Sequence, residues 1–85
     1  MIVLEPNPQS IGERLRVYRC RKRMSRKELA ECVGVTAATI GNYENEVTEP
    51  NISMLMELAQ VLDVTVSMLM HGREPEQEFE PLVTE

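Results

Sequence analysis

Signals that open and close helices recur so closely along this chain that only short helices fit between them. Ser10-Ile11-Gly12-Glu13 and Ser25-Arg26-Lys27-Glu28 both have the form of a capping box, a serine followed three positions later by a glutamate. After the first box Ile11, Leu15 and Tyr18 make one apolar stripe, so a first helix is expected to run to about Arg23. After the second, Leu29, Ala30 and Val33 face inward until Gly34, which suits the left-handed position that ends a helix. Thr36 is the expected N-cap of a third helix through Asn45, with Ile40 inward. Glu49-Pro50-Asn51 is turn chemistry, and Ile52, Leu55, Leu58, Ala59 and Leu62 then mark the strongest amphipathic stretch. Thr65 or its neighbour begins a last helix with Val66, Leu69 and Met70, and Gly72 stops it. No alternation of period two is long enough to propose a strand. The expected class is all-α: five short helices over residues 10–72, flanked by an N-terminal arm (1–9) and an acidic tail (73–85).

Eighty-five residues allow one domain, which at this size buries only about 60% of its unfolded surface. No apolar stretch approaches the roughly 20 residues of a membrane span. The first residues lack a basic segment followed by a long apolar one, so no secretory signal is expected. Cys20 and Cys32 then read as free thiols in a reducing compartment, and the expected location is the cytoplasm. His71 is the single histidine and closes the last helix, where a cation suits the dipole. Metal-ligand spacing, nucleophile–base pairs and glycine-rich phosphate loops are all missing. Neither an enzyme nor a bound cofactor or metal is expected.

The net charge is −5, yet the charge is strongly polarised. Arg14, Arg16, Arg19, Arg21, Lys22, Arg23, Arg26 and Lys27 are eight of the nine basic residues and share a fourteen-residue stretch without an acid. The last twelve residues carry five of the fourteen acids. Phosphate binding follows the local patch rather than overall charge, so nucleic acid stays open as a partner. The competing reading is a merely solvated helix face.

Two short helices joined by Val33-Gly34-Val35-Thr36 have the form of a helix-turn-helix. Residues 11–70 resemble the Cro/phage-repressor (Xre-like) helix-turn-helix family. The resemblance is carried by Ile11-Gly12-Glu13-Arg14-Leu15-Arg16, Met24-Ser25-Arg26-Lys27-Glu28-Leu29-Ala30, Gly34-Val35-Thr36, Thr39-Ile40, Tyr43-Glu44-Asn45, Glu49-Pro50, and Leu58-Ala59 through Leu62 and Val64. It implies a lambda-repressor-like fold of five helices, with the third in the major groove and the second across the backbone. It also implies that Arg19 and Glu44 form an internal salt bridge. By the same likeness Arg26, which stands where the family usually has glutamine, and Asn45 approach phosphate, with Lys27 and Tyr43 as further phosphate candidates. Base contacts fall to Thr36, Ala37, Ala38, Thr39 and Asn42, with Asn42 able to bond adenine bidentately.

The sequence also departs from that family. Ala37 and Ala38 stand where glutamine or arginine is frequent, which leaves a small set for direct readout. Arg23 and Glu46 replace common glycines, and at positive φ either would carry modest strain. The loop Glu46-Val47-Thr48-Glu49 holds no cation and would repel phosphate. The expected function is a sequence-specific, double-stranded DNA-binding transcriptional regulator, a repressor acting as a dimer on a two-fold operator. The alternative is an antitoxin-like or regulatory module that uses the same fold to hold a protein partner. Met54 and Met68 are the expected dimer-interface residues, whereas Met56 and Met70 read as fillers of a small core.

Overall fold

A computed structural model describes residues 10–72 of this chain; the expected arm (1–9) and acidic tail (73–85) lie outside the described residues. Five α-helices follow one another: α1 (Ile11–Arg21), α2 (Arg26–Val33), α3 (Ala37–Glu44), α4 (Ile52–Leu62) and α5 (Val66–His71). Every one starts at a side-chain cap. Ser10, Ser25, Thr36, Asn51 and Thr65 each accept a hydrogen bond from the amide three residues on. At α2 the box is complete, because the Glu28 carboxylate also accepts from the Ser25 amide at 2.8 Å. Asn51, the last residue of the Glu49-Pro50-Asn51 turn, is also the cap of α4.

The helix ends explain the short connections. Gly34 takes φ 77° after α2, so the chain enters the turn to Thr36 without a steric penalty. Arg23, Glu46 and Asp63 also lie at positive φ (58°, 64° and 61°), the first two at the positions where glycine had been displaced. Helix α1 closes at Arg21, and α3 closes at Glu44 with Asn45 as its cap rather than its last residue.

Each helix gives one or more side chains to a single core: Leu15, Leu29, Ile40, Leu58 and Leu69 are wholly excluded from water. Truncating such a leucine to alanine typically costs about 2–5 kcal/mol. The outer members of the expected stripes behave differently. Ile11 and Tyr18 are half-buried, and Ile52 is 60% exposed, off the inward face of α4. Met56, expected to fill the core, is a correction: it is 57% exposed because it lies one turn after Ile52, on the same outward face. Met70 does pack against the core, as does Met54.

Two contacts that no local pattern announces lock α1 in place. Arg14 is buried, its Nε donating to the Leu69 carbonyl at 2.6 Å and its Nη2 to the Met70 carbonyl. It thus satisfies the carbonyl end of α5, while His71 in the same turn stays exposed. Gly12 faces the end of α3 so closely that a Cβ there would stand 2.5 Å from the Tyr43 carbonyl oxygen. Only a glycine admits that approach, and it brings α1 against the last turn of α3. No helix among the described residues is long and apolar enough to cross a membrane.

Candidate nucleic-acid interface

Helices α2 and α3 share the most extensive packing between elements, across the Gly34 turn and the buried Leu29, Ala30, Val33 and Ile40. Burying Ile40 and Gly41 on α3 turns Ala38 and Asn42 outward, one above the other at a spacing of four. Thr36 is also exposed, while Ala37 and Thr39 are half-buried beside that ridge. The five expected base-reading positions therefore lie on and beside one outward ridge. Their polar groups are not equally free, however. Thr36 Oγ1 accepts from the Thr39 amide and shares a 3.0 Å hydroxyl–hydroxyl bond with Thr39, so both hydroxyls serve the cap. Asn42 is the one amide side chain of the ridge.

Around this ridge the expected phosphate residues occupy three different settings. Lys27 and Asn45 are exposed, at the first turn of α2 and the end of α3. Tyr43 is half-buried and packs against the core. Arg26 is half-exposed, and its Nε donates to Glu44 Oε1 at 3.1 Å. This second arginine on Glu44 was not foreseen.

The first arginine was. Arg19 Nε donates to Glu44 Oε2 at 2.6 Å and Nη2 to Oε1 at 3.1 Å, while Nη1 donates to the Met24 carbonyl at 2.8 Å. The Glu44 side chain is wholly buried and that of Arg19 is 12% exposed. The hydrogen bond to Glu44, against the opposing effect of burial, holds the Arg19 guanidinium above its ordinary arginine pKa. A bidentate pair in such a setting ties α1 to the end of α3.

Surface charge completes the picture. Arg16, Arg21, Lys22, Arg23 and Lys27 are exposed, and Arg21 lies over the Tyr18 ring at 5.6 Å from its centroid. Of the loop acids, Glu46 accepts a hydrogen bond from the Ser10 hydroxyl, which ties the loop after α3 to the start of α1. Cys20 and Cys32 are free and exposed. Among the described residues no group of three or more His, Cys, Asp or Glu could hold a metal ion.

Residues 15–69 match the family model described as helix-turn-helix. The chain belongs to the helix-turn-helix family, in its Cro/phage-repressor branch. The five helices form that family's lambda-repressor-like fold. Repressor protein C2 of Salmonella phage P22 is 33% identical over 66 residues, 78% of this chain and 31% of that protein. The crystal structure of the P22 c2 repressor in complex with synthetic operator 9T superposes at a TM-score of 0.73, with 32% identity over 76% of this chain and 98% of that one. The transcriptional regulator SinR of Bacillus subtilis (strain 168) is 39% identical over 61 residues, 71% of this chain and 55% of SinR. A crystal structure of SinR in complex with DNA has a TM-score of 0.65 and 40% identity over 69% of this chain and 95% of that one. The chain thus spans about half of SinR and a third of C2, while it matches almost the whole of both DNA-bound structures. The fold alone does not fix a function. HppE, solved with iron and substrate, contains it within 36% of its chain (TM-score 0.67, 28% identity over 74% of this chain).

Proposed function

We propose that this family member is a sequence-specific, double-stranded DNA-binding transcriptional regulator, a repressor acting as a dimer on a two-fold operator in the cytoplasm. The observation that carries the reading is the outward ridge of α3, with Asn42 exposed on it and Arg26 and Lys27 at its flank. The ridge would read base edges in the major groove, and the start of α2, with its unpaired amides and two cations, would hold phosphate. Asn45 and the Tyr43 side chain would approach the same strand. That P22 c2 repressor and SinR have been solved with operator and DNA supports this assignment. Binding rather than catalysis is the role in view, with no cofactor.

For the dimer, Met54 and Met68 are the proposed contacts. Both are half-buried, so part of each side chain is left for a partner. One module contacts too little DNA for high specificity, and two recognition helices about 34 Å apart would fit successive major grooves. A protein partner remains the second reading, favoured by the exposed Val47, Ile52 and Met56 on and before α4.

The test is enrichment of duplexes from a random pool, followed by titration of the parent and Asn42→Ala. The parent should enrich a two-fold sequence. Asn42→Ala should cost about 1–3 kcal/mol at one base position of each half-site and relax preference there, with the salt slope unchanged. If no sequence is enriched and binding is insensitive to salt, the DNA reading gives way to the protein-partner one.

A further inference from the structure

Two arginines converge on the buried Glu44 carboxylate, and they are not equivalent. Arg19 approaches from α1 and is largely enclosed, whereas Arg26 approaches from the start of α2 with 42% of its side chain exposed. Two cations on one anion leave a net positive charge, and water reaches that cluster mainly at Arg26. Its Nε is committed to Glu44. Among the described residues its Nη groups make no further hydrogen bond, so the end-on edge of the guanidinium is left for an incoming anion. Arginine can serve a carboxylate with Nε and a phosphate with its two Nη groups because the fork is planar and rigid.

Gly41 makes that arrangement fit. It lies one turn before Glu44 on α3, and a Cβ there would stand 3.1 Å from Arg26 Nη1 and 3.5 Å from Cζ. That is tighter than side-chain atoms ordinarily approach, so even one methyl group would push the guanidinium outward. A glycine inside a helix is unfavourable compared with alanine, and its presence here therefore calls for a reason. The space it leaves is filled by Arg26.

We infer that Gly41 and Glu44 are positioning residues for Arg26, holding its guanidinium against α3 as a preset phosphate contact at the α2–α3 corner. The inference deepens the DNA-binding reading above and rests on it. An arginine already held loses little rotamer freedom when phosphate arrives, and the contact is fixed in register with the reading ridge because Glu44 and Gly41 belong to the same helix as Asn42.

The experiment titrates a random-sequence duplex with the parent, Gly41→Ala, Arg26→Ala and the double variant at several salt concentrations, with a thermal melt of each protein. Arg26→Ala should weaken binding about tenfold and lower the salt slope by about one. Gly41→Ala should weaken it about threefold while melting no lower than the parent, since alanine favours the helix. Adding Gly41→Ala to Arg26→Ala should cost nothing more, because no guanidinium remains to be displaced. Losses that add in the double variant overturn the inference and place Gly41 against the DNA itself. It is equally overturned if Gly41→Ala binds like the parent, or if its binding falls only in step with its melting temperature. A parent that binds no duplex at any salt concentration removes the DNA reading and this inference with it, an outcome distinct from all the others.

Discussion

The eight cations between residues 14 and 27 fall into two regions that share a composition and differ in use. Arg14 and Arg19 point into the protein: one holds the carbonyls that end α5, the other clamps Glu44. Arg16, Arg21, Lys22, Arg23 and Lys27 face water, and Arg26 stands between the two groups. Counting charge along the sequence assigns all eight to one patch. The helical turn separates them, because Arg14 lies beside Leu15 on the buried side of α1, while Arg16 points away. A basic stretch on an amphipathic helix is thus partly a framework for the surface it helps to form.

The largest effect that would break this division is expected at Arg19. Arg19→Ala removes two bonds to a wholly buried carboxylate and leaves Arg26 as its only cation among the described residues. Loss of one partner from a buried pair costs about 3–5 kcal/mol, and the remaining Arg26 should keep the figure near 3. Chemical denaturation should show that loss. A destabilisation below about 0.5 kcal/mol, the range of ordinary surface changes, would move Arg19 into the outer group. DNA affinity should fall only as far as the folded fraction falls.

Arg14→Met comes next, since it keeps the volume while removing the bonds to the Leu69 and Met70 carbonyls. Hydrogen bonds to charged groups contribute about 1.5–3 kcal/mol, and the orphaned carbonyls lie close enough to the helix end to find water, so about 2 kcal/mol is expected. Hydrogen exchange should localise the change: α5 amides should lose protection before those of α2 and α3. Uniform loss across all five helices would show instead that Arg14 supports the whole core.

What was legible in the sequence follows the range of the interaction that determines it. The helices could be placed within a residue or two because caps and apolar periodicity act over three or four positions, as at Ser25–Glu28 and Leu55–Leu58–Leu62. The Arg19–Glu44 pair came from family likeness, not from spacing. Arg14 reaching Leu69, Gly12 under Tyr43 and Arg26 on Glu44 join separate elements across 18 to 55 positions, and nothing local encodes them. Met56 was misplaced for a related reason: a methionine reads as apolar filler, yet its register with Ile52 puts it outside. On the candidate interface the base-reading positions came from family likeness, and the inward Ile40 agrees with their facing outward. The engagement of Thr36 and Thr39 with each other was not, because a cap hydroxyl and a base-reading hydroxyl look identical in a sequence.

The smallest effect sharpens the comparison from its outer side. Lys27 is exposed, one residue beyond Arg26, and no hydrogen bond to a protein carboxylate holds it among the described residues. Lys27→Ala should therefore leave stability within about 0.5 kcal/mol of the parent. If Lys27 meets a phosphate, the salt slope should still fall, by up to about one for a fully formed contact. Its affinity loss should stay below that of Arg26→Ala, because an ammonium on a free stem must be immobilised at the moment of binding and cannot offer a two-pronged edge. The measurement is the same salt series on a random-sequence duplex. A loss equal to that at Arg26 would mean that anchoring by Glu44 adds nothing to a cation in this position, and that charge alone distinguishes the outer residues.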